Sequence, residues 1–459
     1  MFSRNILTAL RHWASKTDRK PLVIRGARQV GKTTVVNQFS KEFDQYLYLN
    51  LELLENRRPF ESFTTVETLV RSLFFLQNKQ YDPSKRILIF IDEIQEVVEA
   101  FNILRYFYEE AKNLYVIAAG SLLESLFKKN LSFPVGRVEY LVLRPVSFQE
   151  FLGAIGEPQA ADVLLQVPLP KFAEDKLFQL FHLYALIGGM PAIVQSYAEK
   201  RDLVGLNTIY ESLLVSYFDD AEKYASSNAQ VQYLRHIIKA APFEAGKRIK
   251  LHGFGKSNYG AREMGEGLRA LEKAFLLQLV YPQSSSQLPL QADLGRSPRL
   301  QFLDSGLMNY QLGIQKEIVG TKDLGSVYQG TLMEHLVGQE LLASKYNVFN
   351  ELHFWVRDKP TSSAEIDFIY AFDGLLIPIE VKSGKAGKLK SLHTFMDLAP
   401  HNLAVRIFGG TLAVNKVKTP KGKEFYLMDL PYFLVSQLDV YLKWLLDLSQ
   451  HGFAENLRS

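Results

Sequence analysis

The run GARQVGKTT, residues 26–34, joins two glycines, a lysine and two threonines at a spacing that suits a polyphosphate. Gly26 and Gly31 let the backbone between them curl so that its N–H groups converge on an anion. Ala27, Arg28, Gln29 and Val30 would form the cradle, and Lys32 would reach the terminal phosphates. The Thr33 hydroxyl, followed by Thr34, would ligate Mg²⁺ at a helix N-terminus. A short apolar strand before the loop and a helix-like pattern after it supply the setting that this chemistry needs. A second apolar run, residues 87–91, ends in Asp92-Glu93. There Asp92 would hold the metal, directly or through water, and Glu93 would activate an attacking water. A third run ends at Gly120-Ser121, where Ser121 would either sit near the terminal phosphate or cap the following helix. Arg137 and Arg144 are candidates to stabilise charge on a transferred phosphoryl group, or for surface salt bridges.

A second set of ionisable residues stands where packed side chains would be expected. IDFIYAFDGLLIPIEVKSG, residues 366–384, carries Asp367 in one apolar run and Glu380-Val381-Lys382 at the end of the next, with the turn signal Asp373-Gly374 between them. A hairpin would set Asp367 beside Glu380, and the period of two puts Glu380 and Lys382 on one face with Val381 on the other. The isoleucines of IPIEVK share the polar side of that alternation, which implies a buried or cleft-lining face. A solvated ladder of salt bridges is the alternative. Upstream, the helix-like SVYQGTLMEHLVGQELLASKY carries Glu334 at the margin of an apolar face and Glu340 among Leu332, Leu336 and Val337. If that face is buried, Glu340 must find a partner or protonate.

Several cores must position these groups in a chain of 459 residues, 47% hydrophobic and 22% charged. The absence of Cys excludes disulfides, thiolate zinc sites and a Cys nucleophile, and suits a reducing cytosol. A net charge of +4 supports an anion patch rather than a whole-protein nucleic-acid coat. No apolar run reaches the roughly 18 residues of a membrane span, and the N-terminus is too interrupted by charge for a secretory core. A soluble cytoplasmic protein with no membrane partner is therefore expected. Continuous apolarity over 87–91 predicts a strand covered on both faces, as in a parallel sheet. Residues 151–225 have a helical pattern broken at Gly188-Gly189-Met190-Pro191, which suits a hinge or a tight packing turn. Residues 226–325 predict a winged helix, with helices at 229–241, near 252–258 and at 261–279, then a hairpin. Arg235, Lys239, Arg248, Lys250 and Arg262 make this stretch basic and suited to DNA, whereas Glu263, Glu266 and Glu272 on the long helix suit a protein spacer.

In order and spacing, GARQVGKTT, FIDEIQ, AAGSLLESL, GRVEYLVLRPVSFQEF and IGGMPAIV resemble the bacterial and archaeal ATPase family with an AAA-like domain and a C-terminal domain labelled DUF4143. The likeness runs over nearly the whole chain. It implies an α/β protein with a P-loop ATPase core of the AAA/STAND type and a helical lid, using ATP and Mg²⁺. The expected boundaries are 1–150 for the core, 151–225 for the lid, 226–325 for the winged helix and 326–459 for the C-terminal domain. The family usually has Thr-Gly-Ser where this chain has Ala119-Gly120-Ser121. The C-terminal order, helix with Glu, strand with Asp, strand with Glu-x-Lys, resembles the PD-(D/E)XK nuclease superfamily. That resemblance implies Glu334, Asp367 and Glu380 around a second Mg²⁺ or Mn²⁺, with Lys382 orienting water against a phosphodiester of DNA or RNA.

Three functions follow as expectations. The first is ATP hydrolysis coupled to a nuclease-like, DNA-binding region. The second is a nucleotide-dependent switch or scaffold whose C-terminal domain binds partners, and the third is an ATP-regulated nuclease. A homo-oligomer would give Arg137 or Arg144 a role in a neighbouring subunit.

Overall fold

The computed structural model describes residues 2–61, 65–120, 136–225, 227–318, 330–358, 364–382 and 389–451. They gather into two compact units, the first made of the chain up to Arg144 together with Lys273–Leu276 and Lys345–Asn350.

In this first unit the strands β1 (Leu22–Arg25), β2 (Gln45–Asn50), β3 (Ile87–Asp92), β4 (Tyr115–Ala119) and β5 (Glu139–Val142) form one sheet in the order β2-β3-β4-β1-β5. Every pairing is parallel. All six residues of β3 are buried. Ile87, Ile89 and Ile91 enter a core with Leu47, Leu49, Val70 and Phe101, while Leu88 and Phe90 are fully buried as well. Cover on both faces explains why this run shows no alternation, and each such side chain stabilises the fold by about 1.5–3 kcal/mol. Because β1 and β3 run the same way with β4 between them, Gly26 and Asp92 emerge at the same edge of the sheet.

The second unit takes in the remaining described residues, so the expected lid and all of the expected middle and C-terminal segments other than Lys273–Leu276 and Lys345–Asn350 share one compact body. Five helices, Phe148–Ala154, Pro158–Leu164, Glu174–Ile187, Pro191–Lys200 and Leu206–Tyr224, fill the segment expected to be helical. Helix Asn228–Glu244, a short turn at Phe254–Lys256 and helix Ala261–Lys273 follow. The last of these was expected to reach Leu279. It stops at Lys273 because the chain turns at Phe275, whose φ of 62° is left-handed, and Leu277 opens the strand β6 (Leu277–Gln283).

β6 pairs antiparallel with β7 (Arg299–Phe302), forming the expected hairpin. It then continues and pairs in parallel with β8 (His353–Val356), so the hairpin is the end of a larger sheet. That sheet includes β9 (Glu365–Phe372), β10 (Leu375–Lys382), β11 (Leu403–Phe408), β12 (Ala413–Lys418) and β13 (Glu424–Pro431), in the order β12-β13-β11-β10-β9-β8-β6-β7. Asp373 and Gly374, at φ 46° and 76°, make the tight turn between β9 and β10. The pairing of Phe368 with Ile379 sets Asp367 next to Glu380. No described helix is long and apolar enough to cross a membrane.

Candidate functional site

At the carboxyl edge of the first sheet the loop after β1 has left-handed backbone at Gln29 (φ 63°) and Gly31 (φ 95°), while Gly26 takes φ 144°. A Cβ at Gly26 would lie 2.2 Å from the carbonyl oxygen of Leu143, so only glycine fits. Gly31 leads into helix Lys32–Phe39. Lys32 is buried, and its Nζ donates to the carbonyls of Gly26 at 3.0 Å and Ala27 at 2.9 Å. Burial pushes this amine down to about 8, against the pull of Glu93 and Asp92.

The Thr33 hydroxyl donates to Asp92 Oδ2 at 2.6 Å, and Tyr48 Oη reaches the same oxygen at 3.3 Å. Burial raises the Asp92 carboxyl above its ordinary range, the Thr33 bond opposing it. Glu93 follows in a left-handed conformation, φ 51°, with Gln95 Nε2 donating to its Oε2 at 2.5 Å. Lys32, Thr33, Asp92 and Glu93 are thus neighbours. Ala27 and Val30 are buried in the loop, Arg28 is half-buried with its guanidinium 3.9 Å from Glu52, and Gln29 and Thr34 are exposed.

Ser121 lies outside the described residues. Arg137 is held by Glu109 at 2.9 Å, and Arg144 lies 5.5 Å from the Phe275 ring with its guanidinium pushed down to about 10 by burial. Among the described residues, neither arginine bonds to Lys32, Thr33, Asp92 or Glu93. Two residues that the sequence reading did not single out support the loop. Arg4, buried, donates from Nη1 to the Val30 carbonyl at 3.1 Å and from Nη2 to the Arg144 carbonyl at 2.7 Å. Gln95 holds Glu93. Arg4 carried no local signal, being 26 residues from its partner, whereas Gln95 stood beside the acidic pair.

In the second unit Glu334, Asp367, Glu380 and Lys382 come together as expected of their order in the chain. Asp367 Oδ2 accepts from the Val381 N–H at 2.8 Å, and Lys382 Nζ reaches Glu380 Oε1 at 2.5 Å. The unexpected member is Arg299 on β7. Its guanidinium contacts Glu334 Oε2 at 2.7 Å and Asp367 Oδ1 at 3.4 Å, and also binds Glu365. Burial raises all three carboxyls, Glu334, Asp367 and Glu380, and mutual repulsion adds to this for Glu334 and Glu380. The Arg299 cation thus already bridges Glu334 and Asp367, two of the three carboxylates that the resemblance gave to a metal, while Glu380 is held by Lys382. Among the described residues no group of three or more His, Cys, Asp or Glu side chains could hold a metal ion, so the residues present do not fit the second divalent ion. The signal available in the sequence was a lone arginine at the head of an apolar strand, which must find a carboxylate when buried.

Glu340 is buried and finds the partners that such a face demands. It accepts from Tyr184 Oη at 2.6 Å and from the Phe148 N–H at 3.1 Å, and burial pushes its carboxyl up to about 7. Gly188-Gly189 is a packed turn. The Gly189 N–H donates to Asp304 Oδ2 at 2.6 Å and its carbonyl accepts from Val146 N–H at 2.7 Å.

The first unit therefore has the parallel sheet and phosphate-loop geometry of a P-loop NTPase. Residues 18–152 match the family model described as an AAA domain, residues 178–318 a domain of unknown function, DUF8612, and residues 329–432 another, DUF4143. An AAA-type P-loop domain is thus followed in this chain by a DUF4143 domain. No curated protein matches the chain. Among solved structures, the Walker-type ATPase PABY2304 of Pyrococcus abyssi is similar at 14% identity and a TM-score of 0.43, over 68% of this chain and 96% of that one.

Proposed function

We propose that the chain binds MgATP through residues 26–34 and Asp92, and hydrolyses it with Glu93 as general base. The observation that carries this reading is the 2.6 Å bond between Thr33 and Asp92. It joins the loop hydroxyl to a strand-end carboxylate whose charge burial opposes, and hydroxyl and carboxylate oxygens are the donors a magnesium ion takes. The bound nucleotide and its metal would supply an electrophilic terminal phosphorus with its oxygen charge partly neutralised. Lys32 would exchange the carbonyls of Gly26 and Ala27 for phosphate oxygens. The backbone N–H groups of the loop and of the first helical turn would hold the remaining charge. Glu93, beside them, would take the proton from the attacking water.

Lys32→Ala is expected to abolish ATP binding, and Glu93→Gln to bind ATP normally while losing about 10²-fold or more of the turnover. Fluorescent-nucleotide titration and phosphate release measure the two. Unchanged turnover in both variants would remove the assignment.

For the second unit, the Arg299 bridge favours a binding or switch module over a metal-dependent nuclease. Arg235 is paired with Glu222, and Arg262 with Glu266, which supports a spacer role for the basic middle segment. Arg299→Ala would leave Glu334, Glu365 and Asp367 without their shared cation and is expected to cost about 3–5 kcal/mol in urea unfolding. Cleavage of DNA or RNA with Mg²⁺ or Mn²⁺, with or without ATP, that disappears in Asp367→Ala would establish the nuclease instead.

A further inference from the structure

The turn after β3 contains an amide that the ATPase reading does not use. Gln95 sits in the single helical turn Ile94–Glu96, which is anchored on both sides of it. Ile94 is fully buried in the core, and Glu96 is held by Arg57 at 3.3 Å, which also donates to the Leu51 carbonyl. Between these anchors the Gln95 side chain turns back to Glu93. The left-handed φ of 51° at Glu93 is an uncommon state for a residue with a side chain, and such states persist where surrounding contacts over-determine them.

An ionised carboxylate only accepts hydrogen bonds, so the Gln95 NH₂ must be the group facing Glu93. That fixes the other half of the amide. Gln95 Oε1 is buried and has no hydrogen-bond partner among the described residues. Leaving an acceptor buried and unpaired opposes folding, so this orientation of the amide is kept by its bond to Glu93 and not by the pairing of its own oxygen.

We propose that Gln95 is a positioning residue for hydrolysis: its Nε2 fixes the Glu93 carboxylate in the orientation that receives the proton of the attacking water. The proposal rests on Glu93 being the base. The water would give one hydrogen to the Glu93 oxygen that Gln95 does not hold and keep a lone pair for the phosphorus. The proton passes to Glu93, and Gln95 neither gains nor loses one.

The test uses the full chain with Gln95→Met, which keeps the length and removes donor and acceptor, and Gln95→Glu, which keeps the shape and sets a second carboxylate against Glu93. Both are compared with wild type and Glu93→Gln for ATP affinity, kcat, KM and the pH dependence of kcat. The expected result is an unchanged ATP dissociation constant in both, with kcat lower by about tenfold or more, as loss of a hydrogen bond to a charged group implies. On the acid side the fall of kcat should begin at higher pH in both variants, further for Gln95→Glu, a change that a purely structural role would not produce. Wild-type kcat and pH profile in Gln95→Met, with Glu93→Gln inactive, would overturn the role of Gln95 alone. Wild-type turnover in Glu93→Gln would overturn the base assignment and with it the proposal.

Discussion

Lys32 keeps its charge in a place that opposes it. Burial pushes its amine down to about 8, although Glu93 and Asp92 pull the other way and Arg28 adds to the depression. Phosphate oxygens select the charged form. As pH rises through about 8 the empty site loses its proton, and nucleotide must then recover it on binding. The dissociation constant for ATP is therefore expected to be flat below that pH and to rise by roughly tenfold per unit above it. Titrations of fluorescent ATP between pH 7 and 9.5 read this directly, and a constant affinity over the range would show that Lys32 stays protonated. The same residue shows which chemistry a sequence displays. Gly26, Gly31, Lys32 and Thr33 lie within one turn of chain, and Asp92 closes an unbroken apolar strand, so all five could be read without knowing the fold. Arg299 could not. Its partners Glu334 and Asp367 are 35 and 68 residues away, and only the pairing of β6 with β8 brings β7 into the same sheet.

At the scale of elements, the turn at Gly188-Gly189 shows how closely backbone approaches backbone in the second unit. Asp304 caps helix Ser305–Leu312 by accepting from the Leu307 N–H at 3.0 Å and receives the Gly189 N–H on its other oxygen. A Cβ on Gly306, in the first turn of that helix, would lie 1.9 Å from the Ile187 carbonyl oxygen, and one on Gly189 would lie 2.3 Å from that of Val146. Neither obstacle is a movable side-chain end. Gly306→Ala is accordingly expected to destabilise the chain by about 3 kcal/mol or more. Gly153→Ala is the matched control, because a Cβ there meets nothing within 4 Å. In helix Phe148–Ala154 it should be neutral or stabilising by up to about 1 kcal/mol. Denaturant melts of the two variants would decide, and equal stability would show that the Gly306 contact relaxes freely. A hydropathy pattern marks that a helix breaks at these glycines and is silent on what they touch. The end of helix Ala261–Lys273 is hidden in the sequence for a related reason. Ala274, Phe275 and Leu276 continue an apolar run with no Gly or Pro to punctuate it, and the left-handed turn falls on a phenylalanine.

For the whole molecule, the course of the chain sets what can be separated. The first unit recruits Lys273–Leu276 and Lys345–Asn350 from far along the sequence, which no local pattern announces and which a boundary at residue 150 leaves behind. Both segments touch the β1–β5 edge of the sheet that carries the nucleotide loop. The Phe275 ring lies 5.1 Å from the Arg25 guanidinium and 5.5 Å from that of Arg144, and the Tyr346 carbonyl accepts from the Val142 N–H at 2.9 Å. β5, which carries Val142, stands at the edge of the sheet, and the Leu143 N–H that follows it donates to the Arg25 carbonyl at 2.8 Å. Leu143 is also the residue whose carbonyl confines Gly26. A fragment ending at residue 150 would keep every residue of the ATP site but leave that edge partly unpaired and the two arginines without the ring. It is expected to melt below the first unit of the full chain and to bind ATP more weakly. Within the intact chain, Phe275→Ala should reproduce part of the loss, by about 1–3 kcal/mol from the two cation–π contacts and lost packing. If the fragment binds ATP as tightly as the full chain and melts no lower, the two recruited segments contribute nothing to the loop, and the nucleotide site is complete in the first third of the sequence.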